Sequence, residues 1–383
     1  MMQMIEKRYA KVWQAMEEKG VEILIITHPT NVLYLSGFGT LLGRGFAPFG
    51  GVLIVPYKSS PTLIVPWIEY EVAQRESFLE KIYYFTPYPI YIANKFTQAQ
   101  RREELIAQII KETCNNKTTI GIEKSFISAA SYGVLKSLLT NCQFVDVSGL
   151  IEAIRSVKTE EELILIRRAA EIATLAMREV LSLIKPNVAE TTIAQRMAST
   201  IYENAAQFSH IVVASGERSI MPHGLPTARK LKNGDLVVID FGVLYQGYWA
   251  ELCRTFAVGD VRMRQQQIFN LVKEAQARAA ETLRPGVKAS VVDAAAREFF
   301  IERGYGEFFI HSSGHGLGLG EGDAPFIAPG SDELIQSNMA ISLEPGLYFN
   351  HENIGIRLED AFLVQESRVE RLTSLPQTLQ PCE

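Results

Sequence analysis

Apolar residues at positions 5–19 recur at helical spacing (Ile5, Tyr9, Val12, Trp13, Met16) until Gly20 interrupts them. Short apolar runs then predict strands at 21–27, 32–36, 51–56 and 62–66. A helix at 67–75, a strand at 82–85 and a helix at 98–113 follow. The segment closes with a strand at 118–122, a helix at 129–139 and a strand at 143–147. Strands alternating with helices imply an α/β domain over residues 1–150. The stretch 149–156 reads as a join. After it, Thr159 and Glu162 form a capping box ahead of Leu163, Ile166, Ala170, Ala173, Met177, Val180 and Ile184, a run ended by Lys185-Pro186. Helices are predicted again over 190–205, 262–284 and from Ser290 to 303, the second stopped by Pro285-Gly286. Strands are predicted at 211–214, 308–310, 340–343 and 354–358. Residues 156–383 therefore read as an α+β domain with helices on a mostly antiparallel sheet.

The sharpest pattern lies within 235–255. An apolar run from Leu236 through Ile239 follows Asn233-Gly234, and the chain reverses near Gln246-Gly247, which predicts a β-hairpin. With 244–247 as the loop, Val243 pairs with Tyr248 and Asp240 stands opposite Glu251. Directly opposed side chains lie roughly 5 Å apart and like charges there repel, while an unpaired carboxylate among apolar neighbours is costly. The pair calls for a cation, unless the hairpin lies at the surface with both acids in water.

Downstream residues add to the pair. His315 sits in Ser313-Gly-His-Gly, where flanking glycines let backbone or ligand approach the imidazole. Glu344 and Glu359 each end an apolar strand; alone, each reads as a solvated strand end. Together with Asp240, Glu251 and His315 they make four carboxylates and one imidazole. Two divalent ions would neutralise the acids, and an oxygen-rich set with little nitrogen suits manganese, cobalt, iron or zinc. His223, in a loop rich in proline and glycine, is a candidate proton shuttle or a plain solvent-facing histidine. His210 and His311 are assigned to structure, and His28 and His351 to uninformative loops.

Bulk properties narrow the partners. A chain of 383 residues with 47% hydrophobic and 21% charged positions is ordinary for two globular domains. A net charge of -5 gives no footprint for nucleic acid or an anionic membrane. The four cysteines (Cys114, Cys142, Cys253, Cys382) have no CxxC spacing, so neither a disulfide framework nor a zinc ribbon is indicated. The first residues lack an apolar signal core and no apolar run could span a bilayer, so a cytoplasmic protein is expected.

In order along the chain, these motifs resemble the pita-bread metallopeptidases: the Xaa-Pro aminopeptidases, Xaa-Pro dipeptidases, methionine aminopeptidases and the metal-free creatinase. The resemblance rests on Thr30 through Phe38, Ile154 through Glu162, Val213 through Gly216, Pro222-His223, Gly234 through Gly242, Gly247-Tyr248 and Arg254-Thr255. Gly314-His-Gly316, Leu343-Glu-Pro-Gly346 and Ile356 through Asp360 complete it. It implies a creatinase-type N-terminal domain before a pita-bread catalytic domain, and a homodimer in which the first domain shapes the substrate pocket. It implies metal ligands at Asp240, Glu251, His315, Glu344 and Glu359. Glu344 would also take the proton of a metal-bridged water, and His223 would stabilise the tetrahedral intermediate. Arg357 resembles a substrate-side arginine of the proline-specific and creatinase branches that methionine aminopeptidases lack.

Three positions depart from the pattern. Glu251 stands where aspartate is usual, and Cys253 where threonine is usual. Gly322 stands where a second active-site histidine is usual, seven residues after His315; one such donor to a developing oxyanion is worth about 3 kcal/mol. The activity implied is hydrolysis of the bond before proline. The departures keep open a hydrolase or lyase of a small non-peptide substrate, and the fold also hosts non-catalytic binding proteins.

Overall fold

The computed structural model describes residues 2–39, 50–92, 95–113 and 117–381. The chain forms two compact units, Met1–Ile154 and Arg155–Glu383.

The first unit contains helices α1 (Met2–Glu18), α2 (Pro29–Ser36), α3 (Tyr70–Glu76), α4 (Arg102–Thr113) and α5 (Ala129–Leu138). Strands β1 (Ile23–Ile26), β2 (Val52–Pro56), β3 (Thr62–Pro66), β4 (Lys81–Phe85), β7 (Thr119–Ile122) and β8 (Gln143–Asp146) make a six-stranded sheet in the order β4-β3-β2-β1-β7-β8. The short strands β5 (Ile90–Ile92) and β6 (Lys95–Thr97) pair with each other. β1 is parallel to β7 but antiparallel to β2, so the sheet is mixed. All four residues of β1 are buried, as a central strand covered on both faces requires.

Residues 32–36, expected as a strand, lie instead in α2. Pro29 occupies its first turn, His28 Nδ1 accepts from Thr30 N–H, and Gly37 closes it at φ +74°. Four apolar residues and a serine do not distinguish a buried strand from a buried helix; the caps at both ends do. Much of the glycine-rich stretch 37–51 falls at 40–49, outside the described residues, as do Cys114 and Cys382.

The second unit begins within α6 (Leu150–Ser156). The Thr159–Glu162 capping box opens α7 (Glu160–Arg178), with both reciprocal hydrogen bonds present. Helices α8 (Glu190–Glu203), α9 (Met263–Thr282) and α10 (Ala289–Glu302) follow. One antiparallel sheet joins β9 (Gln207–Ser215), β10 (Leu236–Tyr245) and β11 (Tyr248–Ala257). Another runs β13-β12-β14-β17-β18, built from β12 (Gly314–Gly318), β13 (Gly320–Ile327), β14 (Ala340–Leu343), β17 (Asp360–Val364) and β18 (Val369–Arg371). β15 (Gly346–Phe349) and β16 (Ile354–Arg357) pair between them. Isolated bridges, Tyr248 to Leu319 and Cys253 to Glu359, tie the hairpin to the larger sheet's strands. α7 and α8 pack on the outer face of the hairpin through Ile172, Met177, Ile193, Met197, Val237 and Ile239. α9 and α10 cover the other sheet through Ile268, Val272, Phe300, Ile341 and Ile356.

Two expectations fail here. Residues 308–310 form no strand: Gly306–Phe308 is one 3₁₀ turn. Phe309 turns into the α9–α10 core instead. The hairpin register is also shifted. Gln246 and Gly247 alone make the turn, at φ 49° and 85°, as a two-residue type I′ connection requires. Tyr245 therefore pairs with Tyr248, Asp240 with Cys253, and Gly242 with Glu251. The acids are diagonal neighbours on one face rather than directly opposed.

Candidate metal centre

Every candidate ligand lies at or beside a strand of the second unit, and the backbone around each is held by buried side chains. Arg254, fully buried, donates to the carbonyls of Cys253 and Glu359 at 2.8 and 2.7 Å and to Asp360 Oδ1 at 2.7 Å. Thr255 Oγ1 donates to the Arg357 carbonyl and accepts from the Arg357 N–H. From α9, Gln276 Nε2 donates to the carbonyls of Leu343 and Leu358, the residues preceding Glu344 and Glu359, at 2.8 and 3.2 Å. Asp293 on α10 accepts from Ser313 N–H and Oγ–H, two residues before His315.

The side chains then converge. Glu251, His315 and Glu359 each offer one donor atom, and the three atoms lie within 4.8 Å of one another. His315 Nε2 is 3.1 Å from Glu251 Oε2 and 3.9 Å from Glu344 Oε1. Its Nδ1 lies 3.1 Å from the Gly316 carbonyl, which fixes the ring and leaves Nε2 facing the acids. Glu359 Oε1 accepts from Ser342 Oγ at 2.5 Å. Glu359 Oε2 is buried with no hydrogen-bond partner, and buried Glu251 Oε2 is met only by His315 Nε2. A buried oxygen of this kind is costly unless something positive meets it.

Asp240 stands at the other end. Arg357 Nη2 donates to its Oδ2, and His210 Nε2 lies 3.3 Å from its Oδ1 and 3.8 Å from Glu251 Oε1. Arg357 is buried: it also donates to Tyr348 Oη at 3.0 Å and to the Pro222 carbonyl at 2.8 Å. Both terminal nitrogens of its guanidinium are thus engaged by the walls of the site. Tyr348 Oη in turn lies 3.0 Å from His311 Nε2, and His311 Nδ1 lies 2.8 Å from the Ser312 carbonyl. The network runs from His311 through Tyr348, Arg357 and Asp240 to His210. His210 and His311, assigned to structure from the sequence, both stand in this network, which the sequence does not announce because neither lies in a distinctive string.

Electrostatics match a cluster short of positive charge. Burial would raise the Asp240 pKa, but Arg357 and then His210 hold it at about 2. Burial lifts Glu344 to about 7, helped by Glu251 and Asp240 and opposed by His315 and Arg357. Burial, followed by Glu251, Asp240 and Glu344, pushes Glu359 well above the ordinary carboxylate range. Burial would lower His315, yet Glu251 and Glu344 raise it to about 10, so a proton on the imidazole acts as counter-charge. The donor set, with an unpartnered buried Glu359 Oε2, a Glu251 oxygen met only by an imidazole, and that imidazole oriented towards the acids, fits a divalent cation.

His223 is exposed and hydrogen-bonds to none of these groups; Arg357 fixes its loop through Pro222. Gly322 adopts φ +72°, and a Cβ there would meet nothing within 4 Å, so the space beside it is open. Asp323, next in the chain, is buried against Arg155 at 2.6 Å and Lys158 at 3.4 Å. Cys253 is buried, with Sγ 3.6 Å from the Arg357 carbonyl.

Residues 164–366 match metallopeptidase family M24, and residues 8–157 match the creatinase/prolidase N-terminal domain. The chain belongs to metallopeptidase family M24. The Xaa-Pro dipeptidase of Pyrococcus furiosus is 33% identical over 380 residues, 98% of this chain and all of the relative. Among solved structures, the Xaa-Pro dipeptidase from Bacillus anthracis aligns with a TM-score of 0.85 at 30% identity, over 98% of this chain and 99% of that one. The prolidase from Pyrococcus furiosus gives 0.81 at 34%, over 95% and 100%. The family's architecture, a creatinase N-terminal domain followed by the pita-bread domain, is that of this chain.

Proposed function

We propose that the chain is a metal-dependent Xaa-Pro dipeptidase, hydrolysing the bond before a proline. The observation that carries this reading is the convergence of Glu251, Glu359 and an oriented His315 Nε2, whose donor atoms lie within 4.8 Å of one another, with Glu359 Oε2 buried and unpartnered. Asp240, Glu251, His315, Glu344 and Glu359 would hold two divalent ions from the set manganese, cobalt, iron and zinc. When bound, such ions supply Lewis acidity, polarising the scissile carbonyl and making water nucleophilic near neutral pH.

The chain's own residues do the rest. Glu344, at the partly open edge of the cluster, takes up a proton at its carboxylate and returns it to the leaving nitrogen. Arg357 acts one step back, fixing Asp240 and the Pro222 carbonyl. The loop that it pins carries His223 toward the substrate. The Xaa-Pro dipeptidases of Pyrococcus furiosus and Pyrococcus horikoshii support the substrate class. No helix among the described residues is long and apolar enough to cross a membrane. The same reading includes a homodimer in the cytoplasm.

The test is direct. Protein stripped with a chelator and reloaded with manganese or cobalt is assayed on Ala-Pro and Ala-Pro-Ala, with bound metal measured by elemental analysis. Free proline from Ala-Pro, lost on chelation and restored by metal, is the expected outcome. A metal-loaded chain that leaves both peptides intact overturns the peptidase reading in favour of a small non-peptide substrate.

A further inference from the structure

His210 enters neither the ligand set nor the proton chemistry above, yet its position is built. Along β9, Phe241 faces Ile211 and Val243 faces Phe208, so Gly242 opposes both Ser209 and His210. Such a two-against-one bulge breaks the alternation of faces and re-aims a side chain. Without it, Phe208 and His210 would share a face. With it, Phe208 packs on the apolar core while His210 points at the carboxylates. Gly242 permits the arrangement: a Cβ there would lie 2.2 Å from Trp249 Nε1 and 2.4 Å from Ser209 Oγ.

The result mirrors His315. Ser209 Oγ lies 3.0 Å from His210 Nδ1, leaving Nε2 facing Asp240 Oδ1 at 3.3 Å and Glu251 Oε1 at 3.8 Å. His315 is held by the Gly316 carbonyl and faces Glu251 Oε2 at 3.1 Å. The Trp249 ring stands between the two imidazoles, 6.0 Å from His210 and 6.4 Å from His315. Each oxygen of Glu251 therefore faces one imidazole nitrogen. A single N–H on His210 bonds well to one oxygen at a time, and here it is long to both. Donors about 2.1 Å from a common ion stand roughly 3 to 3.5 Å apart, which is the spacing to Asp240.

We propose that His210 is a metal ligand. It supplies the nitrogen of the cation position shared with Asp240 and Glu251, as His315 does for the position shared with Glu344 and Glu359, and Glu251 spans the two. The Ser209 hydroxyl is its orienting partner, accepting from Nδ1–H.

This assignment rests on the metal-centre reading, and the experiment separates the two. Metal-free full-length protein is titrated with cobalt(II) by calorimetry, and the cobalt form is examined by proton NMR for exchangeable, paramagnetically shifted imidazole N–H signals. The wild-type chain should bind two ions and show two such signals. His210→Gln should show one, with the weaker-binding position losing at least about tenfold in affinity. Ser209→Ala, which leaves the imidazole in place, should keep both signals and weaken the same position to a lesser degree; this milder variant carries the test if His210→Gln fails to fold. Unchanged affinity and two signals in His210→Gln, or unchanged affinity in Ser209→Ala, would overturn the ligand role alone. A wild-type chain that binds no cobalt would overturn the metal-centre reading with it.

Discussion

Among single residues, His311 shows most plainly what burial does in this molecule. Its imidazole is enclosed by Phe309, Tyr348 and the Ser312 carbonyl, with Arg357, Arg297 and Asp240 as the charged groups around it. Burial first, then Arg357, lowers its pKa to about 4, so Nδ1–H donates to Ser312 and neutral Nε2 accepts from Tyr348. The unfolded chain protonates it near its ordinary value of about 6.5. Between these values the unfolded state binds the extra proton, so its contribution to stability is complete above pH 6.5 and is lost as pH falls towards 4. Urea unfolding followed from pH 7 to 4 should therefore steepen in that window, and His311→Gln should flatten it. Equal slopes for the two proteins would mean that His311 titrates alike folded and unfolded.

At the scale of elements, α9 does more than cover a sheet. Gln276 reaches from it to the carbonyls of Leu343 and Leu358, and its own Oε1 accepts from Gln377. One amide thus sets how far apart the Glu344 and Glu359 strand ends stand. Gln276→Leu should cost about 1–3 kcal/mol in denaturant unfolding, because two buried carbonyls lose their donor. It should also weaken manganese binding by calorimetry; full affinity with reduced stability would restrict Gln276 to holding the core. Nothing in the sequence around Gln276 marks it, because its partners lie far along the chain. The elements that were legible carry local signals: Thr159 and Glu162 cap α7, and Asn233-Gly234 precedes a strand that opens on the apolar run Leu236 to Ile239. Asp240, Glu251, His315, Glu344 and Glu359 were legible as chemistry because each is polar at or beside an apolar strand. The hairpin register was not, since Gln246 in the left-handed region leaves no mark as plain as a second glycine would. Residues 32–36 misled because strand and helix bury a short apolar run equally well, and the face that His210 takes was not legible because a bulge across from Gly242 decides it.

At the scale of the whole molecule, every proposed ligand lies within one unit, Arg155–Glu383. A cation that binds the native state alone stabilises it by about 2.7 kcal/mol at a hundredfold excess over its dissociation constant. Calorimetric melting with and without manganese should therefore move the transition of the second unit upward by several degrees and leave that of Met1–Ile154 in place. A shift of both together would mean that the two units unfold as one. Residues 373–380, late in the chain, pack back on the hairpin: Arg254 donates to the Leu375 carbonyl, Ala257 N–H to that of Leu379, and Gln377 binds Asp360 and Gln276. The backbone that spaces the proposed ligands is thus tied down by a segment that follows all of them in the chain, so the spacing of the acids is complete only when that late segment is in place.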